Sequence, residues 1–204
     1  MLTLIYLIAI TAEAMTGALA AGRRNMDIFG VAVIAFLTAL GGGTVRDIVL
    51  GRFPIGWTQH PEYIYLVLGA GLIAIPLARH IQRLTPLFLF LDALGLVAFT
   101  VIGCDVALGM GYATPVVVMA GMITGIAGGV MRDVLCNRVP VVFRQELYAS
   151  VSLVVAFAFI LMVKLGVPQE VGIFTSFFVG VVLRMVALRW QLGLPVFSWQ
   201  GAQH

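Results

Sequence analysis

The chain has 204 residues, 61% of them hydrophobic and 10% charged, with a formal charge of +3. An ordinary soluble domain carries roughly 25% charged residues. That shortfall excludes one here and points to a protein whose bulk lies in a bilayer.

Seven apolar segments are long enough to span it: Leu2 to Ala20, Ile28 to Leu50, Tyr63 to Ala78, Leu87 to Gly103, Thr114 to Cys136, Leu147 to Leu165, and Val171 to Leu188. The first lacks a positively charged start and exceeds a usual signal-peptide core, so it reads as a transmembrane helix. Short linkers carry the turn formers, among them "GRRNMD", "GRFPIGWTQHPE" and "NRVPVVFRQE". Trp57, Tyr63, Tyr65, Tyr112, Tyr148 and Trp190 fall near span ends, as an interfacial aromatic belt requires. Cys104 and Cys136 fall near ends of successive spans, at opposite faces, which disfavours a disulfide. His60, His80 and His204 lie in loops or the tail, and no spaced Cys/His cluster suggests a metal.

Basic residues set the expected orientation. Arg23, Arg24, Arg79, Arg83, Arg138, Arg144, Arg184 and Arg189 fall on one side; only Arg52 and Lys164 fall on the other. The N-terminus is expected outside and the C-terminus in the cytoplasm.

Arg46 and Arg132 belong to neither set. They sit in "GGTVRDIVLGRFPI" (Gly42 to Ile55) and "GGVMRDVLCNRVPV" (Gly128 to Val141), which align without a gap. Gly-Gly, Arg-Asp, a later Arg (Arg52, Arg138) and a Pro (Pro54, Pro140) coincide, the mark of an internal duplication. Upstream, "EAMTGALA" at Glu13 loosely resembles "DALGLVAF" at Asp92. The predicted organisation is therefore a first three-helix repeat over 1–80, a second over 84–166, and a seventh helix with a cytoplasmic tail over 171–204. An odd number of spans per repeat inserts the second copy upside down, an architecture common among transport proteins with discontinuous helices. The fold class is all-α, seven transmembrane helices, with helices two and five broken at glycines.

Each motif glycine costs about 1 kcal/mol in a helix interior relative to alanine. Gly41, Gly42 and Gly43, and Gly128 with Gly129, are thus candidate breaks whose freed backbone groups need partners or water. They equally suit close packing, for which Gly121, Gly125 and Gly129 form a ladder. Charged residues deep in a membrane mark function or a structural lock, so Arg46, Asp47, Arg132 and Asp133 are the candidate pore or gating charges. Sequence neighbours on a helix do not face each other, so each Arg needs a partner other than its adjacent Asp. By depth, Asp92 suits Arg132, and Asp105 or Glu13 suits Arg46. The two arginines are expected about 20 Å apart along the membrane normal.

The motifs and the stretches "GRRNMDIFGVAVIAFLTALGGGTVRDIVLG", "LDALGLVAFTVIG" and "GIAGGVMRDVLCNRVPVVFRQELYAS" resemble the prokaryotic branch of the trimeric intracellular cation (TRIC) channel family, also labelled a glycine-transporter domain. The resemblance covers nearly the whole chain up to about Arg189. It implies seven transmembrane helices, a homotrimer in the inner membrane, and an hourglass pore inside each protomer that passes monovalent cations, chiefly potassium. It also implies that Gly41 to Gly43 and Gly128 to Gly129 are pore hinges. The chain departs from the family in two places. No equivalent of the phosphoinositide-binding basic motif of animal members is present. Where relatives often carry a lysine after the "VIG" of span four, this chain has "CDVA" with Asp105.

Three readings follow. A passive channel would use glycine-freed carbonyls and the hydroxyls of Thr11, Thr16, Thr38, Thr44, Thr100 and Thr124. A secondary transporter of glycine or another small solute would use the motif Arg to bind a carboxylate. A scaffold without conduction explains the packing glycines but not two buried charge pairs. No nucleophile–base set or phosphate loop suggests an enzyme. No cofactor beyond permeant potassium or sodium, and no nucleic-acid partner, is expected.

Overall fold

The computed structural model describes residues 2–80, 84–143 and 147–193. Arg83, Arg144 and His204 of the sequence reading lie outside them, as do the side chains of Arg79 and His80. The described chain is helical: α1 (Leu2–Gly22), α2 (Ile28–Val49), a single turn α3 (Gly56–Gln59), α4 (Glu62–His80), α5 (Leu84–Gly109), α6 (Thr114–Leu135), α7 (Tyr148–Lys164) and α8 (Gln169–Arg189), with a 3-10 turn at Val141–Phe143. Helices α1, α2, α5, α6 and α8 are long and apolar enough to cross a membrane; the apolar stretches of α4 and α7 are shorter.

Local chemistry sets the ends. The Asp27 carboxylate accepts the Gly30 N–H at 2.7 Å and caps α2. Pro115 stands in the first turn of α6, where its missing N–H costs nothing. Both α2 and α6 stop in the same way, with a left-handed residue two past the helix: Gly51 (φ +66°) and Asn137 (φ +51°). The predicted spans agree within a few residues except at α5. Buried Ala107 carries that helix on to Gly109, so Asp105 lies inside it.

The centre of the bundle is α1 and α5. Buried residues make up 67% and 72% of their apolar windows, against 33% for α8, which lies at the periphery. Small side chains permit this: Ala9, Ala14, Ala93 and Ala98 are buried, and Gly71 lies so close to α2 that an added Cβ would meet Ala35 Cβ at 2.9 Å. Close approach of small residues is how helices associate where no hydrophobic force separates them from lipid. Phe29, Tyr65, Phe174 and Phe178 face outward, an arrangement suited to lipid rather than water.

Candidate functional site

The two motif helices cross in contact. A Cβ on Gly42 would overlap the carbonyl oxygen of Thr124, and one on Gly128 would overlap that of Thr38. Helical structure runs unbroken through Gly41, Gly42 and Gly43 in α2 and through Gly128 and Gly129 in α6. The expected breaks are therefore corrected: both helices run on through these glycines, and Gly42 and Gly128 bring two backbones together. Gly41 has a side-chain neighbour, the Met131 sulfur, 2.6 Å from where its Cβ would stand. Gly43 and Gly129 have more room, facing the guanidinium of Arg46 and the Tyr148 hydroxyl respectively. The expected threonine hydroxyls are also committed locally. Thr11, Thr38, Thr44, Thr100 and Thr124 each donate to the carbonyl four residues back, and Thr16 bonds Glu13.

The neighbouring Arg-Asp pairs do meet, against expectation. Arg46 Nε and Nη2 donate to Asp47 Oδ1 at 2.9 and 2.7 Å, and Arg132 Nε donates to Asp133 Oδ1 at 2.9 Å. The rule for adjacent positions concerns Cβ spacing. In the last turn of a helix, a long arginine arm folds back across its neighbour. Each Asp also fastens the loop that follows: Asp47 Oδ2 accepts Gly56 N–H at 2.9 Å, and Asp133 Oδ2 accepts Val141 N–H at 3.0 Å.

Beyond this common frame the two sites differ. Arg132 is fully enclosed. Its Nη1 donates to Asp92 Oδ1 at 2.7 Å and to Thr16 Oγ1 at 3.2 Å, with Glu13 Oε2 at 3.8 Å. Glu13 thus stands by Arg132, not Arg46, because Gly95 of α5 leaves the space its carboxylate fills. Asp105 does not serve Arg46 either; Gln169 Nε2 bonds its carboxylate. Among the described residues, Arg46 has no second carboxylate. Asp47 is shared instead with Arg52, at 3.3 Å. Tyr6, Phe99 and Trp57 line the remaining space there, a cavity of 20 Å³, with room for about one water. The Tyr6 ring lies 6.3 Å from Phe99 and 5.0 Å from Tyr63, and Trp57 Nε1 donates to Thr44 Oγ1 at 3.0 Å.

Packing also corrects the register upstream of the motifs. Gly17 of α1 packs on Thr38, Ala35 and the Ile34 carbonyl; Gly103 of α5 packs on Thr124, Gly121 and the Ala120 carbonyl. These contacts follow the same offset that carries Gly42 to Gly128. By that offset Tyr6 corresponds to Asp92, and Phe99 to Glu13, so the looser pairing of Glu13 with Asp92 was out of register. Reading the gapless motif offset back into α1 would have found Tyr6 and Phe99.

Beside the α6 motif opens a cavity of 770 Å³ lined by Arg24, Phe88, Asp133 and Arg138. Two guanidinium groups lie over the Phe88 ring, that of Arg132 at 4.7 Å and that of Arg23 at 5.4 Å. Burial, then the charge of Arg138, pulls the Arg23 pKa down. Arg24 Nη2 donates to the Asn137 carbonyl at 2.8 Å, tying the α1–α2 loop to the end of α6. Arg184, counted among the basic residues that set the expected orientation, is buried over the ring of Tyr148 at 4.8 Å, and Tyr148 is itself buried. Among the described residues, no three His, Cys, Asp or Glu side chains are grouped to hold a metal ion.

A family model described as "Glycine transporter" matches residues 3–79 and again 89–164. The UPF0126 inner membrane protein YadS of Escherichia coli is 36% identical over 190 residues, covering 91% of this chain and 90% of YadS. Among solved structures, the TRIC trimeric intracellular cation channel orthologue from Rhodobacter sphaeroides superposes with a TM-score of 0.90 at 34% identity, over 94% of this chain and 98% of that one. A second, solved in work on conductance through TRIC cation channels, gives 0.90 at 32% identity over 98% of each chain.

Proposed function

The chain belongs to the prokaryotic TRIC channel family, and from that premise we propose that it is a passive channel for monovalent cations, chiefly potassium, in the inner membrane. The observation that carries this reading is the likeness along nearly the full length of both chains to structures described as cation channels. The relative from Rhodobacter sphaeroides is described as trimeric, so this chain is proposed to act as a homotrimer with one pathway per protomer. Seven helices span the membrane as two inverted repeats plus α8, with the N-terminus outside.

The pathway runs along the α2–α6 seam. It passes from the cavity at Arg24, Asp133 and Arg138 to the small chamber at Tyr6, Arg46 and Trp57. In the present conformation the seam is shut where Gly42 meets Thr124 and Gly128 meets Thr38. Conduction requires these backbones to part, with Gly41 to Gly43 and Gly128 to Gly129 as the points of flexure. Arg46–Asp47 and Arg132–Asp133 then act as gating charges at the two ends of the seam, because each Asp also holds the loop that closes its helix.

Purified protein in liposomes tests this. Potential-driven potassium flux that does not saturate, without uptake of labelled glycine, is the expected result. Saturable glycine accumulation would overturn the channel in favour of a transporter.

A further inference from the structure

The two halves of the seam share a backbone frame but not a chemistry. The carboxylates of Asp47 and Asp133 occupy corresponding places, as do the guanidinium groups of Arg46 and Arg132. The flanking positions differ. On the α6 side, α5 supplies Asp92 and α1 supplies Glu13; at the corresponding places on the α2 side, α1 supplies Tyr6 and α5 supplies Phe99. One end thus has three carboxylates around a single guanidinium, all buried. The other has one carboxylate between two guanidinium groups, closed by two aromatic rings. Near the acidic end, Arg184 lies over the ring of Tyr148 at 4.8 Å.

We propose that this chain is a one-way-biased conductor: Asp92 and Asp133, with the carboxyl oxygens of Glu13 beside them, make the α6 end of the seam attractive to cations, and Tyr6, Phe99 and the Arg46–Arg52 pair place the main barrier at the α2 end. This rests on the channel reading above. A cation driven from the acidic end crosses most of the field before it meets the barrier, so voltage speeds its passage strongly. A cation driven the other way meets the barrier first and gains little. For a barrier displaced from the middle by about a quarter of the field, the two directions differ roughly sevenfold at ~100 mV. Exposed arginines at the α6 mouth, among them Arg23, Arg24 and Arg138, act in the opposite sense. Salt distinguishes the two effects. The screening length falls to about 3 Å at ~1 M, which silences the mouth and leaves the enclosed charges unscreened.

Single channels in planar bilayers with ~1 M potassium chloride on both sides read the bias directly. Orientation follows from which chamber lets an impermeant thiol reagent reach a Gln59→Cys variant, at the aromatic end. The expected current is severalfold larger from the acidic end toward the aromatic end. Tyr6→Asp combined with Phe99→Glu gives both ends carboxylate walls and should bring the ratio close to one. Should that double variant fail to fold, Asp92→Asn decides, since Arg132 keeps Asp133 and the amide oxygen can still accept from it; the ratio should fall. A wild-type current equal in both directions, a bias of opposite sign, or a ratio unmoved by either variant overturns the inference while leaving the channel standing. Absence of any wild-type current overturns the channel reading and this inference with it.

Discussion

Replacing Gly42 by Ala adds a single methyl group at the α2–α6 crossing. That methyl would overlap the Thr124 carbonyl oxygen and stand 3.3 Å from the carbonyl carbon and 3.5 Å from Gly128 N. Its neighbours are backbone atoms, so no side-chain rotation relieves the overlap and the helices must separate. Overpacking of this kind costs about 1–3 kcal/mol, and a rigid backbone neighbour puts it at about 3. The better helix propensity of alanine returns about 1 kcal/mol, leaving a net loss of about 2. Gly128→Ala should behave alike, because its Cβ would overlap the Thr38 carbonyl at the same crossing. The double variant tests the geometry best. Separation forced by the first methyl makes room for the second, so the combined loss should fall short of the sum by about 1 kcal/mol or more. Unfolding in mixed detergent micelles measures all three, with Gly69→Ala as the control, since nothing lies within 4 Å of that position. A Gly42→Ala loss no greater than the control, or strict additivity in the double variant, would refute the contact between these backbones.

The charge clusters make further tests. Arg132→Gln strands three buried carboxylates and should cost about 3–5 kcal/mol, whereas Glu13→Gln keeps the Thr16 contact and should stay within about 1 kcal/mol of wild type; equal losses would contradict the arrangement. Asp47→Asn weakens its bonds to Arg46 and Arg52 and its hold on Gly56, so limited proteolysis should cut the α2–α3 loop faster than in wild type. Tyr112→Phe removes the bond to the Leu50 carbonyl that ties the end of α2 to the α5–α6 loop, a loss of about 1 kcal/mol in the same unfolding assay. Cys136 is buried at the end of α6. The thiolate is the reactive form, so alkylation of the folded protein should be slow at neutral pH and quicken as pH rises; rapid labelling at pH ~7 would refute that burial.

Hydropathy alone made the helices legible, because lipid demands an apolar side chain at almost every position of a span. The duplication was legible for a related reason. "GGTVRD" and "GGVMRD" retain the residues that crossing backbones and loop-fastening carboxylates require, and no gap intervenes. Partners were harder to assign. Glu13 was placed by depth, and depth fixes a residue along the helix axis but not its direction around it. The space beside Gly95 sets that direction, and it turns Glu13 toward Arg132.

The sequence by itself determined an all-helical chain of long apolar segments, two copies of one motif, and a short set of charges too costly to leave unpaired. Tertiary structure decided what those charges meet and what the glycines are for. Glycine weakens a helix and also lets another backbone approach; a single sequence shows both capacities at once. Only the position of the neighbouring helix chooses between them. Here α6 lies against Gly42 and α2 against Gly128, so both helices run unbroken and the glycines mark where they touch.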